Sequence, residues 1–148
     1  MKKRLCSRPV EILLVEDNPG DVRLTQEALR SEMVRNHLNV VSDGAEALAF
    51  LRREAKYADA PRPNVVLLDL NLPRKNGYDV LAEMKTDESL KHIPVVVLTT
   101  SQSDEDILKA YRLHANCYIA KPVRLDQFFE AVRSLQDFWL TTVELPPE

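Results

Sequence analysis

The chain has 148 residues, with 20 Lys+Arg against 23 Asp+Glu and a formal net charge of −3. A chain of this size fits one average domain that buries roughly 68–70% of its unfolded surface, and its 45% hydrophobic and 29% charged content excludes a disordered chain, collagen or a coiled-coil rod. The mild acidic excess argues against a sequence-independent nucleic-acid binder, and apolar runs such as Val95 to Leu98 fall far short of the roughly 20 residues that cross a bilayer.

Residues 1–9, MKKRLCSRP, start basic but lack an apolar segment or a small-residue cleavage site, so they read as a solvated tail on a cytoplasmic protein. Cys6 and Cys117, the two cysteines of the chain, are too few for a disulfide scaffold and lack zinc-site spacing. Val10 to Val15 is a near-continuous apolar run, as expected for a strand covered on both faces. It stops at Glu16-Asp17. Asn18 then offers a capping oxygen and Pro19 suits the first turn, predicting a helix to about Met33 with apolar Val22, Leu24, Ala28, Leu29 and Met33.

Leu38 to Val41 predicts a short second strand, and Asp43 and Glu46 are spaced as a capping pair for a second helix to about Arg53. The segment from Ala55 to Asn64, with Pro61 and Pro63, reads as a long surface loop, and Arg52-Arg53-Glu54 as a solvated helix face. Val65 to Leu68 is the third strand, ending at Asp69, and a loop with Pro73 and Gly77 leads to a helix from about Tyr78 to Lys85. Val95 to Leu98 is the fourth strand, ending at Thr99. Ser103 caps a fourth helix rich in acid at its start, Cys117 to Ala120 is the fifth strand, and Leu125 to about Trp139 is the fifth helix.

Five βα units of this kind predict an α/β fold, a doubly wound five-stranded parallel sheet rather than part of a closed barrel. In such a sheet the functional crevice lies at the carboxyl ends of the strands. Glu16, Asp17, Asp69, Thr99 and Lys121 all fall there. Clustered carboxylates stay ionised together when a cation joins them, and hard oxygen donors suit Mg²⁺, with Mn²⁺ as a substitute. A carboxylate is a poor nucleophile toward a phosphoryl dianion unless a cation and an ammonium such as Lys121 cancel the repulsion, so the pattern points to an aspartyl phosphate.

The motifs ILLVED at residues 12–17, VLLDLNLP at 66–73, Asn76-Gly77, IPVVVLT at 93–99 and YIAKP at 118–122 together resemble the receiver domain of two-component response regulators. The resemblance spans roughly residues 10–138, leaving 1–9 as a tail and 139–148 as a C-terminal extension. It implies a flavodoxin-like (βα)5 fold with strand order 2-1-3-4-5. It further implies Asp69 as phosphoacceptor, Asp17 and Asp69 as direct Mg²⁺ ligands with Glu16 acting through water and the Asn71 carbonyl as a further ligand. Thr99 and Lys121 would grip the phosphoryl group, and Thr99 and Tyr118 would form the switch. Thr100, where the family usually has a smaller residue, and Asn71 and Ser101 bear on access and on the lifetime of the phosphorylated state.

The fifth helix carries more apolar surface than one stripe needs, so Phe128, Phe138 and Trp139 are expected at an interface. The long 55–64 loop, Thr99-Thr100-Ser101 and the Phe138-Trp139-Leu140 extension resemble the single-domain regulators paired with bacterial phytochrome histidine kinases, which implies a homodimer through helix four, strand five, helix five and the extension. The expected activity is self-phosphorylation and autodephosphorylation rather than enzymatic turnover, with output by protein contact and no nucleic-acid or membrane partner. One rival is an aspartyl-nucleophile phosphatase of the haloacid-dehalogenase type, suggested by Asp69-Leu70-Asn71, although its usual third-position acid is Asn here. A flavodoxin-like ligand binder lacks a Gly-rich loop after strand one.

Overall fold

The computed structural model describes residues 10–30, 36–70, 72, 75–99, 112, 115 and 117–120, with backbone alone for Thr99, Cys117 and Ala120. Its elements are β1 (Val10–Val15), α1 (Pro19–Ala28), β2 (Asn36–Val41), α2 (Gly44–Arg52), a 3-10 turn at Ala55–Tyr57, β3 (Val65–Asp69), α3 (Gly77–Thr86), β4 (Val95–Thr99) and β5 (Cys117–Ala120). The strands form one sheet in the order β2-β1-β3-β4-β5, with every adjacent pair parallel. This is the expected doubly wound topology. The expected fourth and fifth helices, the tail 1–9 and the extension 139–148 lie outside the described residues.

Two cores explain why the strand sequences are apolar at nearly every position. Leu13, Val15, Val66, Leu68, Val95 and Val97 face α2 and α3, where Leu48, Leu51, Val80, Leu81 and Met84 meet them. Their neighbours Ile12, Leu14, Val65, Leu67, Val96 and Leu98 face the opposite side, with Leu29 and the half-buried Val22 and Ala28. Full burial of each such side chain contributes about 1.5–3 kcal/mol, so β1, β3 and β4 are fixed in register by both faces at once. Among the described residues no helix is long and apolar enough to cross a membrane.

Helix α1 departs from expectation. It ends at Ala28 rather than near Met33, with Leu29 as its C-cap, and 31–35 lie outside the described residues. Its buried face is also different: Leu24 is 50% exposed, whereas Thr25 is buried at 2%. The Thr25 hydroxyl donates to the Asp21 carbonyl at 2.9 Å, which satisfies its polar atom and lets its methyl enter the core. Asn18 does cap this helix, its Oδ1 accepting from the Asp21 N–H at 3.1 Å.

Strand β2 starts two residues earlier than expected, at Asn36, whose Nδ2 donates to the Leu29 carbonyl at 2.7 Å and so ties the strand to the end of α1. Asp43 caps α2 by accepting from the Glu46 N–H at 2.8 Å. The segment after α2 lies on the surface as expected but carries a 3-10 turn with contacts of its own. The Tyr57 hydroxyl donates to the Glu46 carboxylate, and the Tyr57 ring packs on Phe50 with centroids 5.3 Å apart. Nor is Arg52 merely solvated: it reaches Glu83 at 3.4 Å and Asp87 at 3.6 Å, joining α2 to α3.

Candidate functional site

The carboxyl ends of β1 and β3 lie side by side because Val15 and Leu68 are register partners. The next residues, Glu16-Asp17 and Asp69, therefore emerge together. Their carboxylates each place an oxygen within 4.8 Å of the others, the cluster of metal-ligating side chains found among the described residues. Glu16 is 2% and Asp69 3% exposed, while Asp17 faces solvent.

Each acid is held by its own backbone setting. The Glu16 N–H donates to the Val41 carbonyl at 3.0 Å, and a Glu16 carboxylate oxygen accepts from the Asn18 N–H at 3.2 Å, so this side chain turns back over the start of α1. Asp69 pairs with Leu98 across the β3–β4 ladder, and the Leu70 N–H donates to the Leu98 carbonyl at 3.3 Å. Leu70 and Leu72 are buried at 4% and 9%, anchoring the segment that leaves Asp69.

Three carboxylates this close repel one another, and burial deepens the penalty for their charge. A divalent cation offsets both effects, and an all-oxygen donor set of two buried and one exposed carboxylate fits Mg²⁺ or Mn²⁺. The donor set thus suits a hard divalent cation.

Of the other expected site residues, Thr99 is the last residue of β4, one residue beyond the Leu98 partner of Asp69 and opposite Ala120 of β5. Tyr118 sits on β5 opposite Val97, half-buried against the core shared with α2 and α3. Asn71, Thr100, Ser101, Lys121, Phe128, Phe138 and Trp139 lie outside the described residues.

The Asn76-Gly77 motif, expected in the loop before the third helix, gains a structural role. Gly77, the first residue of α3, lies so close to β3 that a Cβ built on it would sit 2.3 Å from the Asp69 carbonyl oxygen and 2.6 Å from the Leu70 Cα. Its N–H donates to the Leu70 carbonyl at 3.0 Å, closing the loop back onto the strand. Asn76 completes the junction by capping α3 through the Asp79 N–H at 3.0 Å. The available signal was scarcity: in a chain with 3 glycines, one placed directly after a capping Asn marks a close approach.

Comparison with known proteins agrees with this geometry. The model of the response regulator receiver domain matches residues 12–133. Response regulator Rcp1 of Synechocystis sp. is 49% identical over 138 residues, covering 93% of this chain and 94% of the relative. The crystal structure of the phosphorylated cyanobacterial phytochrome response regulator RcpA superposes with a TM-score of 0.77 at 51% identity, over 95% of this chain and 100% of that one. The Mn²⁺-bound form of Rcp1 gives a TM-score of 0.75 at 49% identity, over 94% of this chain and 100% of that one. The match favours the receiver over the phosphatase, since the paired acids after β1 belong to the receiver motif. The chain belongs to the response regulator receiver family, and it is a response regulator whose receiver domain accepts a phosphoryl group.

Proposed function

We propose that Asp69 takes the phosphoryl group from a phosphohistidine on a phytochrome-type sensor histidine kinase. The observation that carries this reading is the convergence of Glu16, Asp17 and Asp69 within 4.8 Å at the carboxyl ends of β1 and β3. In the reaction the P–N bond to the donor imidazole breaks as a P–O bond to the Asp69 carboxylate forms, leaving the kinase histidine neutral once it regains a proton. Asp17 and Asp69, with Glu16 through water and the Asn71 carbonyl, would hold Mg²⁺, and the bound metal supplies positive charge that cancels repulsion between the carboxylate and the phosphoryl oxygens. Thr99 donates a hydrogen bond to a phosphoryl oxygen and Lys121 neutralises another. Tyr118 turns inward behind Thr99, which reshapes the β5 edge for the next partner.

The likeness to regulators described as phytochrome response regulators supports the choice of kinase, and the Mn²⁺-bound relative supports a divalent cation. Cytoplasmic location and output by protein contact suit such a relay, with no turnover beyond loss of its own phosphate. A homodimer involving Phe128, Phe138 and Trp139 follows from the excess apolar residues of the fifth helix in the sequence. Light scattering of Trp139→Glu tests that part: a halved mass supports the dimer, and an unchanged mass overturns it.

The phosphoacceptor itself is tested by incubation with acetyl phosphate and Mg²⁺. One acyl phosphate, labile to hydroxylamine and absent from Asp69→Asn, is expected; label persisting in that variant moves the site elsewhere. Phosphotransfer from a panel of purified kinases including a phytochrome tests the donor, and preference for an unrelated kinase contradicts the phytochrome assignment.

A further inference from the structure

We infer that Gly44, on α2 and far from Asp69 in sequence, is a positioning residue for the acidic site. This inference rests on the assignment of Asp69 as phosphoacceptor. Gly44 is the first residue of α2 and is buried. A Cβ built on it would lie 2.0 Å from the Lys75 carbonyl oxygen, 2.8 Å from the Lys75 carbonyl carbon and 2.8 Å from Val80 Cγ2. The first two neighbours are backbone and cannot rotate away. The start of α2 is thus a bare seat on which the peptide after Lys75 rests.

What rests there is the segment joining Asp69 to α3. Its two ends are closed on each other by the Gly77 N–H to the Leu70 carbonyl at 3.0 Å, with Gly77 against the Asp69 carbonyl. Two residues before Gly77, the Lys75 carbonyl lies against Gly44 and the Lys75 ammonium meets Glu83, 2.5 Å apart. Glu83 also meets Arg52, so the same pair of helices fixes both the seat and the tether. Any side chain at position 44 must lift the Lys75 carbonyl, and the displacement passes through Asn76 and Gly77 to the Asp69–Leu70 peptide. Ala at a helix start is itself no worse than Gly for helix formation, so strain falls on the segment rather than on α2.

The test uses the whole chain in four forms: wild type, Gly44→Ala, Lys75→Met and Leu48→Ala, the last a core variant outside the site. Calorimetric titration with Mn²⁺ alone, at a temperature where each form is folded by circular dichroism, reads the site without phosphate. Gly44→Ala is expected to weaken Mn²⁺ binding about 10-fold, in the range seen when groups supporting metal ligands are changed, and to speed hydrogen exchange at the Gly77 amide. Lys75→Met, which loosens the tether without overpacking, is expected to change both readouts in the same direction by less. Leu48→Ala is expected to lower Tm while leaving Mn²⁺ affinity unchanged.

If Gly44→Ala does not fold, Lys75→Met decides alone. Wild-type affinity and Gly77 protection in Gly44→Ala, or an equal loss in Leu48→Ala, overturns the positioning role while the Asp69 assignment stands. A wild-type protein that binds no Mn²⁺ and forms no acyl phosphate overturns both.

Discussion

The two ends of the sheet solve the same problem in opposite ways. At each end the strand ladder stops and polar groups must find partners. At the amino end the protein supplies them. The Asn64 Oδ1 accepts from the Glu11 N–H at 2.7 Å while the Asn64 backbone N–H donates to the Glu11 carbonyl at 2.7 Å. Arg62 donates to the Ser89 carbonyl at 2.8 Å, and the half-buried Lys85 ammonium donates to the carbonyls of Ile93 and Lys91 at 3.0 and 3.3 Å. At the carboxyl end the Asn18 N–H likewise meets the Glu16 carboxylate at 3.2 Å, but three acids are also gathered there, two of them buried, with oxygens within 4.8 Å. One end is closed for stability, and the other concentrates charge that is relieved when a cation arrives.

This contrast is broken most directly at Asp69. Asp69→Asn is expected to abolish acyl phosphate formation completely and to weaken Mn²⁺ binding by at least about 10-fold, since one carboxylate leaves the oxygen donor set. Calorimetric titration with Mn²⁺ reads the second effect, and wild-type affinity in this variant would mean that Asp69 is not a ligand.

Lys85→Met probes the opposite end. It strands the Lys91 and Ile93 carbonyls and is expected to lose about 1–3 kcal/mol in denaturant unfolding, with phosphorylation unchanged. Lost phosphorylation in a folded Lys85→Met protein would show that the two ends are not separable. Burial lowers the Lys85 pKa, so a proton is more easily lost in the folded state. The unfolded chain binds more protons just below the ordinary lysine range, and stability therefore rises with pH there while staying level near neutrality.

A smaller effect lies on the α2 side of the rim. Burial first, and then the Glu46 carboxylate that accepts its hydrogen bond, push the Tyr57 hydroxyl up to about 12 from an ordinary 10.0. A raised folded-state pKa means that this contribution to stability is complete below pH 10.0 and is lost as pH climbs toward about 12. Tyr57→Phe is expected to lose about 1 kcal/mol and to remove the late-titrating phenolate from the ultraviolet difference spectrum. Titration of that phenolate near 10 would separate the hydroxyl from Glu46.

Much of this was legible from residue patterns. Runs such as VVLL before Asp69 state their burial on both faces, and the motifs around Asp17 and Asp69 carried the strand order and the meeting of the three acids. Periodicity misread α1, because it assigns Leu24 inward by polarity although the Thr25 hydroxyl can satisfy itself on its own helix. It also missed the early start of β2, which depends on the nonlocal bond from Asn36 to Leu29. The contacts of Gly44 and Gly77 were missed for a different reason. Their role is the absence of a side chain where two backbones meet, a property of tertiary distance at which the Asn76-Gly77 motif only hints and which nothing local signals for Gly44.

The central claim is that the acid emerging from β3 is the one that becomes phosphorylated, with its metal-binding neighbours unmodified. After reaction with acetyl phosphate and Mg²⁺, borohydride reduction converts an aspartyl phosphate to homoserine, which peptide mass spectrometry locates. Homoserine at position 69 alone, dependent on Mg²⁺, is expected. Homoserine at Asp17, or equal conversion when Mg²⁺ is chelated, would contradict it.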